Sequence, residues 1–365
     1  EYLPLLPRLG SPLGAILERS GLARFEPLRV YLDALCQITL QCSAAEGEAV
    51  FAFCAMDYYH RGAGHVRGGI GALAELLLTA CTRNGVDVRL ATRVKGIEPV
   101  PPEAGRFKVQ TRRGDVYADH VIANVLPSQL ASWLGPSSAS PTSLQQLSKR
   151  VEAGYGAAML YGLLGGEPSN AATPFHTSSP PVRHRQLVLD VERPFVEGNH
   201  VFVSLGELQP GLAESDDARR SLTMSTHLPL PTLQARGDAA PSYVAEVQAR
   251  MRATFERLCP DWALRLQHSF TASPRTFARF VGRSRGAVGG IPRRAGLDNY
   301  RQLGPYRVRP GLWLVGDSVF PGQSALAAAV GGIRTAAAVA RCAGIPRSAD
   351  VLGGQVDSTA SLPPA

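Results

Sequence analysis

Lysine is nearly absent. Lys95, Lys108 and Lys149 are the three lysines of a 365-residue chain, and nearly all of its 38 cations are arginine. The net charge is +8. A nucleic-acid surface usually clusters Lys with Arg on one face. These arginines are scattered, so the charge argues against nucleic acid and leaves room for a modest attraction to an anionic membrane surface. No C-x-x-C pair joins the six cysteines, and several lie in apolar runs. They read as buried free thiols in a reducing compartment, neither a disulfide framework nor a zinc site. The eight histidines include no H-E-x-x-H, and no metal site is read. No signal peptide is read at Glu1. No apolar run is read as spanning a bilayer, because Gly331-Gly332 and Arg334 interrupt the alanine-rich stretch near the C-terminus.

A usable phosphate loop is also missing. Gly69-Ile70-Gly71-Ala72-Leu73-Ala74 fits G-x-G-x-x-A. A dinucleotide fingerprint needs a strand ending at its first glycine, whereas polar, glycine-rich "HRGAGHVRG" stands there. No other G-x-G-x-x-G occurs.

What is present is ordinary globular material, 45% hydrophobic and 19% charged, long enough for two domains or one large one. Residues 1–60 carry apolar residues at helical spacing. Residues 68–85 predict a helix stopped at Asn84-Gly85. "VDVRLATRVKGIEPV" predicts one or two strands. Residues 106–127 alternate as a meander with a turn at Arg113-Gly114, and end in a buried run at Val121–Val125. Between Val151 and Ala272, four strand-like segments predict a second, antiparallel sheet, and residues 241–261 predict one amphipathic helix. Residues 269–294 read as a loop rich in Gly and Arg, and the tail 346–365 as disordered.

One stretch carries chemistry: "GLWLVGDSVFPGQSALAAAVGGIRTAAAVA", Gly311 to Ala340. Leu312–Val315 suits a central strand of a parallel sheet. Asp317 falls at its end, where α/β sheets bind ligands. Pro321-Gly322 makes a turn, and Gln323 to Ala325 open a helix whose first N–H groups have no helical partner and favour an anion or a carbonyl edge. Its small side chains let it lie close to a sheet or a flat ligand. Two readings stand: a nucleotide-facing carboxylate, or a tightly packed αβ unit with Asp317 as a helix cap.

The stretch resembles the C-terminal flavin-binding motif of the carotenoid (phytoene) desaturase and carotene isomerase family, FAD enzymes related to amine oxidases. "HVRGGIGALAELLLTACTRNGVDVRLATRVKGIE", "VIANVLP" and "SPRTFARFVGRSRGAVGGIP" resemble further segments of that family, in order, from about Gly64 to Gly344. The resemblance implies an α/β fold of the Rossmann-like, amine-oxidase type, lacking its N-terminal dinucleotide-binding module. Residues 61–150 and 274–345 would form a partial FAD-binding domain, and 1–60 with 151–273 a substrate domain. It implies that Val94 pairs through its backbone with adenine and that Ala123 and Asn124 lie near the dinucleotide. Gly316 and Asp317 would meet the pyrophosphate and ribityl region, and Gly322, Gln323, Ser324 and Ala325 the flavin. The family often has glycine where this chain has Ser324. The implied activity is FAD-dependent desaturation of a carotenoid. Alternatives are cis–trans isomerisation with reduced FAD, an amine oxidase, and a non-catalytic remnant. An amine oxidase would want an aromatic cage, and no Trp or Tyr pair stands near Trp313. No catalytic residue is assigned. Arg61, Arg67, Asp57 and His60 read as solvated loop residues. The implied setting is the cytoplasmic or plastid-stromal face of a membrane, with the helices of residues 1–60 offering apolar faces to it.

Overall fold

The computed structural model describes residues 3–62, 64, 66–101, 106–135, 142–165, 183–208 and 219–345. The tail expected to be disordered lies outside the described residues. Helices α1 (Leu13–Arg19), α2 (Glu26–Thr39) and α3 (Ala49–His60) open the chain. Their apolar stripes meet one another around Leu13, Leu32, Cys36, Leu40, Cys42 and Ala52. Those stripes form internal core, while Leu6, Leu22, Phe25 and Tyr31 of the same segment remain exposed. Glu48 caps α3 by accepting from Phe51 N at 2.9 Å, and also accepts from Gly10 N at 2.8 Å, which ties the first segment to the helix.

Helix α4 (Ile70–Arg83) follows, with Gly69 at its N-cap and φ +82°. The element before it is α3, so the G-x-G-x-x-A sequence opens a helix without the strand a phosphate loop needs. Strands β1 (Val94–Pro99), β2 (Phe107–Thr111) and β3 (Gly114–Ala118) form an antiparallel meander. Residues 86–93 form no strand, so the one or two strands expected here are the single β1. Strand β4 (Val121–Ala123) then leads to α5 (Pro127–Leu134) and α6 (Thr142–Glu152).

The second sheet is antiparallel, as expected. It contains β5 (Tyr155–Leu164), β6 (His184–Val188), β7 (His200–Leu208) and β8 (Arg220–Pro229). After α7 (Leu230–Arg236) comes α8 (Ala240–Leu258), which buries Met251 and Phe255 against Leu160, Leu222, Met224 and Val203 of that sheet. Each side chain so buried contributes about 1.5–3 kcal/mol. The short α9 (Pro260–Ala263) adds Trp262 to this core. The region read as a loop instead holds β9 (Leu266–Ala272) and α10 (Pro274–Val281) before β10 (Ala287–Val288). Ser273 starts α10 with a capping box completed by Thr276, a pattern hidden by the flanking arginines.

The chain ends in β11 (Tyr306–Arg309), β12 (Leu312–Leu314) and α11 (Ala325–Cys342). Strand β12 is central in a three-stranded sheet, antiparallel to β11 and parallel to β4. Leu312 and Leu314 share a core with Ile97, Phe107, Leu126, Leu130 and Leu144. Within β4 only Ala123 is buried. Ile122 is 44% exposed, so the run expected to be buried is covered on one face only.

Helices α4 and α11 also expose apolar residues. Helix α4 buries no residue, and Leu76 and Leu77 are 66% and 59% exposed. On α11, Leu326, Val330 and Ile333 face outward. This helix is continuous through Gly331-Gly332 and is long and apolar enough to cross a membrane by length and composition, where the sequence suggested an interruption. Cys36, Cys42 and Cys259 are buried free thiols, but Cys54 and Cys342 are exposed. Among the described residues no cluster of His, Cys, Asp or Glu forms a metal site.

Candidate functional site

Strand β12 is fully buried, which fixes where its C-terminal end delivers Val315, Gly316 and Asp317. Val315 N continues the parallel pairing by donating to Ala123 O at 2.9 Å. Gly316 has φ +117°, and a Cβ there would stand 2.5 Å from Asn124 Oδ1. Ala123, Asn124 and Gly316 are therefore in contact, although about 190 residues separate them in the chain. The Asp317 carboxylate accepts from Arg283 Nη2 at 2.8 and 3.1 Å and from Ser318 Oγ at 3.2 Å. It does not cap the helix. That role falls to Ser324, whose Oγ accepts from Ala327 N at 3.1 Å.

The turn between them is built by close approach. Gly322 has φ +116°, and a Cβ there would meet Arg293 Nη2 at 2.8 Å. Ser324 has φ +106° and ψ +155°, a region in which glycine is the natural occupant. Gln323 donates to Ile38 O at 2.9 Å and to Thr39 O, pinning the turn to the end of α2. Gly290 comes so close to Asp317 that a Cβ would lie 2.1 Å from its carbonyl oxygen. The segment before β11 and the strand–turn–helix thus form one surface.

That surface is a wall of a cleft of about 640 Å³, within the usual range for a bound organic molecule. Asp317, Pro321, Gln323 and Ser324 line it on one side, and Phe51, Cys54, Tyr58 and Tyr59 of α3 on the other. Gly289, Ile291 and Arg293 also line it, together with Ile38, Thr39 and Leu40 at the end of α2. Burial pushes the Tyr59 hydroxyl and the Cys54 thiol above their usual ranges, so both keep their protons at neutral pH. Desolvation lowers Arg293 to about 10, which leaves it charged. None of these three titrates near neutrality, and none can serve as a ready general base.

The residues fit a flavin. One edge offers the first N–H groups of α11, an 18-residue helix, together with a guanidinium. Gly289 packs against the Gln41 and Gln323 side chains, and Ile38, Leu40 and Ile291 supply apolar area. Gln323 and Ser324, which line the cleft, would hold such a ring, which when bound supplies two-electron chemistry that no protein side chain provides.

Of the expected residues Asp317, Gln323 and Ser324 line the cleft, whereas Ala123, Asn124, Gly316, Gly322 and Ala325 do not, although Asn124 lies against Gly316. Val94 stands apart from the cleft lining, at the start of β1 opposite Thr111, packed on the core of the same layer. Asp57 and Arg61 form an exposed ion pair at 2.9 Å, as expected of solvated residues. Arg283, Arg293 and the Tyr58–Tyr59 pair were not foreseen. The two rings pack edge to face at 5.7 Å. The aromatic pair on the cleft comes from α3, about 250 residues before Trp313 in the chain. The adjacent tyrosines on an apolar helix were the available signal.

Residues 13–159 match the family described as flavin containing amine oxidoreductase. The chain is similar to the chloroplastic prolycopene isomerase of Arabidopsis thaliana, 34% identical over 110 residues, 29% of this chain and 18% of that protein. It is also similar to the chloroplastic prolycopene isomerase 1 of an Oncidium hybrid cultivar, 41% identical over 85 residues, 22% of this chain and 14% of that protein. The matches thus span under a fifth of these relatives' length. Among solved structures, an oxidoreductase from Methanosarcina mazei superposes with a TM-score of 0.55 at 16% identity, covering 88% of this chain and 67% of that one. A protein from Pyrococcus furiosus gives 0.52 at 14% identity, covering 93% and 69%. Likeness at such identity speaks for the fold alone. Over residues 13–159 the chain is thus similar to flavin containing amine oxidoreductases, and over most of its length it shares the fold of these solved structures.

Proposed function

We infer that the chain works as part of an FAD-dependent oxidoreductase acting on a carotenoid. The observation that carries this reading is the "GDSVFPGQS" strand–turn–helix forming one wall of an apolar cleft. The absence of a ready base among Cys54, Tyr59 and Arg293 agrees with chemistry done by a cofactor on an unactivated hydrocarbon. What the protein would supply is orientation, exclusion of water, and an edge of donors at α11. Desaturation and cis–trans isomerisation both suit this site. The relatives named prolycopene isomerase favour isomerisation.

In this reading residues 61–150 and 274–345 form the cofactor unit, supported by the parallel pairing of β4 with β12. Residues 1–60 and 151–273 form the substrate unit. A further strand–helix layer carrying a phosphate loop would cover the outward faces of α4 and α11 and the outer edge of β4. Such a substrate is drawn from lipid, so peripheral contact with a membrane belongs to the proposal.

The test is product analysis with the chain expressed as part of a polypeptide that includes a strand–G-x-G-x-x-G–helix unit. A poly-cis carotene incubated with reduced FAD should change geometry without losing hydrogen if isomerisation is right. With oxidised FAD and a quinone it should lose hydrogen if desaturation is right. An unchanged carotene in both arms would refute the substrate class. The Tyr58–Tyr59 pair favours a second reading, an amine oxidase, which peroxide release from amines would reveal.

A further inference from the structure

Arg293 is a cation without a counter-ion in an apolar setting. Its guanidinium lies 4.9 Å from the Phe51 ring centroid and directly over Gly322. One nitrogen donates to Pro321 O at 3.2 Å. A guanidinium has five N–H donors, so most of its capacity is unspent. Among the described residues no carboxylate oxygen comes within ion-pair distance of it. The neighbouring Arg294 takes Glu46, and Arg283 takes Asp317. Arg150 adds repulsion, and burial keeps the nearby Tyr300 hydroxyl protonated and neutral. Arg293 is half-buried on the cleft lining, where its unspent N–H groups can meet a ligand.

A hydrocarbon polyene offers nothing to such a group. Resting on the flavin reading of the cleft, we propose that Arg293 recognises an anionic oxygen-bearing edge there. Two sources share this chemistry: the imide edge of a flavin ring, which becomes anionic on reduction, and a carboxylate at the end of an apolar substrate. Arg293 also ties the Pro321-Gly322 turn to α3. A purely structural role would therefore leave the preference for charged ligands unchanged when the residue is replaced.

The experiment measures binding to the 365-residue chain by titration calorimetry, with two matched pairs of probes. Oxidised and anaerobically reduced riboflavin form the first pair, chosen because they lack phosphate. A polyene carboxylic acid and the corresponding alcohol form the second. An opposite charge beside an ionising group shifts its pKa by about one to three units, so the anionic member should bind at least about tenfold tighter. Arg293→Gln should bring that ratio close to one, and Arg293→Lys should retain most of it, with melting temperature and circular dichroism recorded for each. The pair that shows the preference identifies the source. Riboflavin binding with an equal ratio in wild type and Arg293→Gln, and no preference in the second pair, would overturn the inference while sparing the flavin reading. Binding of the acid alone, lost in Arg293→Gln, would support the inference and sink the flavin reading. Absence of binding by all four probes would overturn both.

Discussion

Ser324→Gly should stabilise this protein. Ser324 sits at φ +106°, ψ +155°, a region almost reserved for glycine, where an L side chain costs about 1–3 kcal/mol. Replacement by glycine removes that strain. Against it stand two losses. The Ser324 Oγ bond from Ala327 N at 3.1 Å disappears, yet a Ser-to-Gly change at an N-cap costs only a few tenths of a kcal/mol. The added freedom of glycine in the unfolded chain costs about 0.4–1 kcal/mol. The balance is a gain of roughly 1 kcal/mol. Ser324→Ala is the control: it keeps the strain and loses the cap, and should cost about 1 kcal/mol. Scanning calorimetry should therefore rank the melting temperatures Ser324→Gly, wild type, Ser324→Ala. A Ser324→Gly variant that melts below wild type would show that the turn is unstrained and the cap dominant, and would refute the reasoning.

Other outcomes follow from the same geometry. Gly290→Ala and Gly21→Ala both place a side chain at positive φ, +75° and +73°, but only the first meets an atom, the Asp317 carbonyl at 2.1 Å. Urea unfolding should show Gly290→Ala costing about 1–3 kcal/mol more, the usual range for overpacking, and equal losses would contradict the close approach. Arg283 donates through Nε to Ala287 O at 2.6 Å and through Nη2 to Asp317. Lysine cannot span both, so Arg283→Lys should unfold at nearly the same urea concentration as Arg283→Ala, and full rescue by lysine would count against the fork. His200 is 1% exposed, and burial lowers its pKa to about 3. The unfolded chain, near 6.5, takes the proton first as pH falls. Its stabilising effect is therefore complete above about pH 6.5 and is lost toward about pH 3, at about 1.4 kcal/mol per unit. Denaturant midpoints from about pH 6.5 to about pH 4.5 should fall less steeply in His200→Gln than in wild type. Leu76→Lys with Leu77→Lys, both already exposed, should shift stability by about 0.5 kcal/mol or less while lowering light scattering at high concentration.

Much of the fold was legible because period and burial agreed. The alternation in Tyr155–Leu164 and Arg220–Pro229 survives as strands β5 and β8, and the stripe of α8 lands on them. Leu312–Leu314 read as a central strand because all three side chains are buried. Failures came where the partner is distant. The strand β9 was missed because five of its seven residues face solvent and send no alternating signal. Val121–Val125 promised a buried run, but only one face of β4 is covered. The strand–turn–helix was legible as a unit, being contiguous in sequence. Arg293 and Tyr58–Tyr59 were not, because no local pattern shows that residues so far apart in the chain share a cleft. Asp317 illustrates both cases. Its place at a strand end was readable, whereas its partner Arg283 lay in a segment taken for loop.

The claim that the cleft beside α11 is the flavin-facing site is tested most directly by thiol footprinting. Cys54 lines the cleft and is exposed, and Cys342 is exposed at the far end of α11. With iodoacetamide and mass spectrometry as the readout, near-saturating riboflavin should slow alkylation of Cys54 and leave the rate at Cys342 unchanged. Equal rates at Cys54 with and without riboflavin, under conditions where calorimetry shows the ligand bound, would place the flavin elsewhere and contradict the assignment.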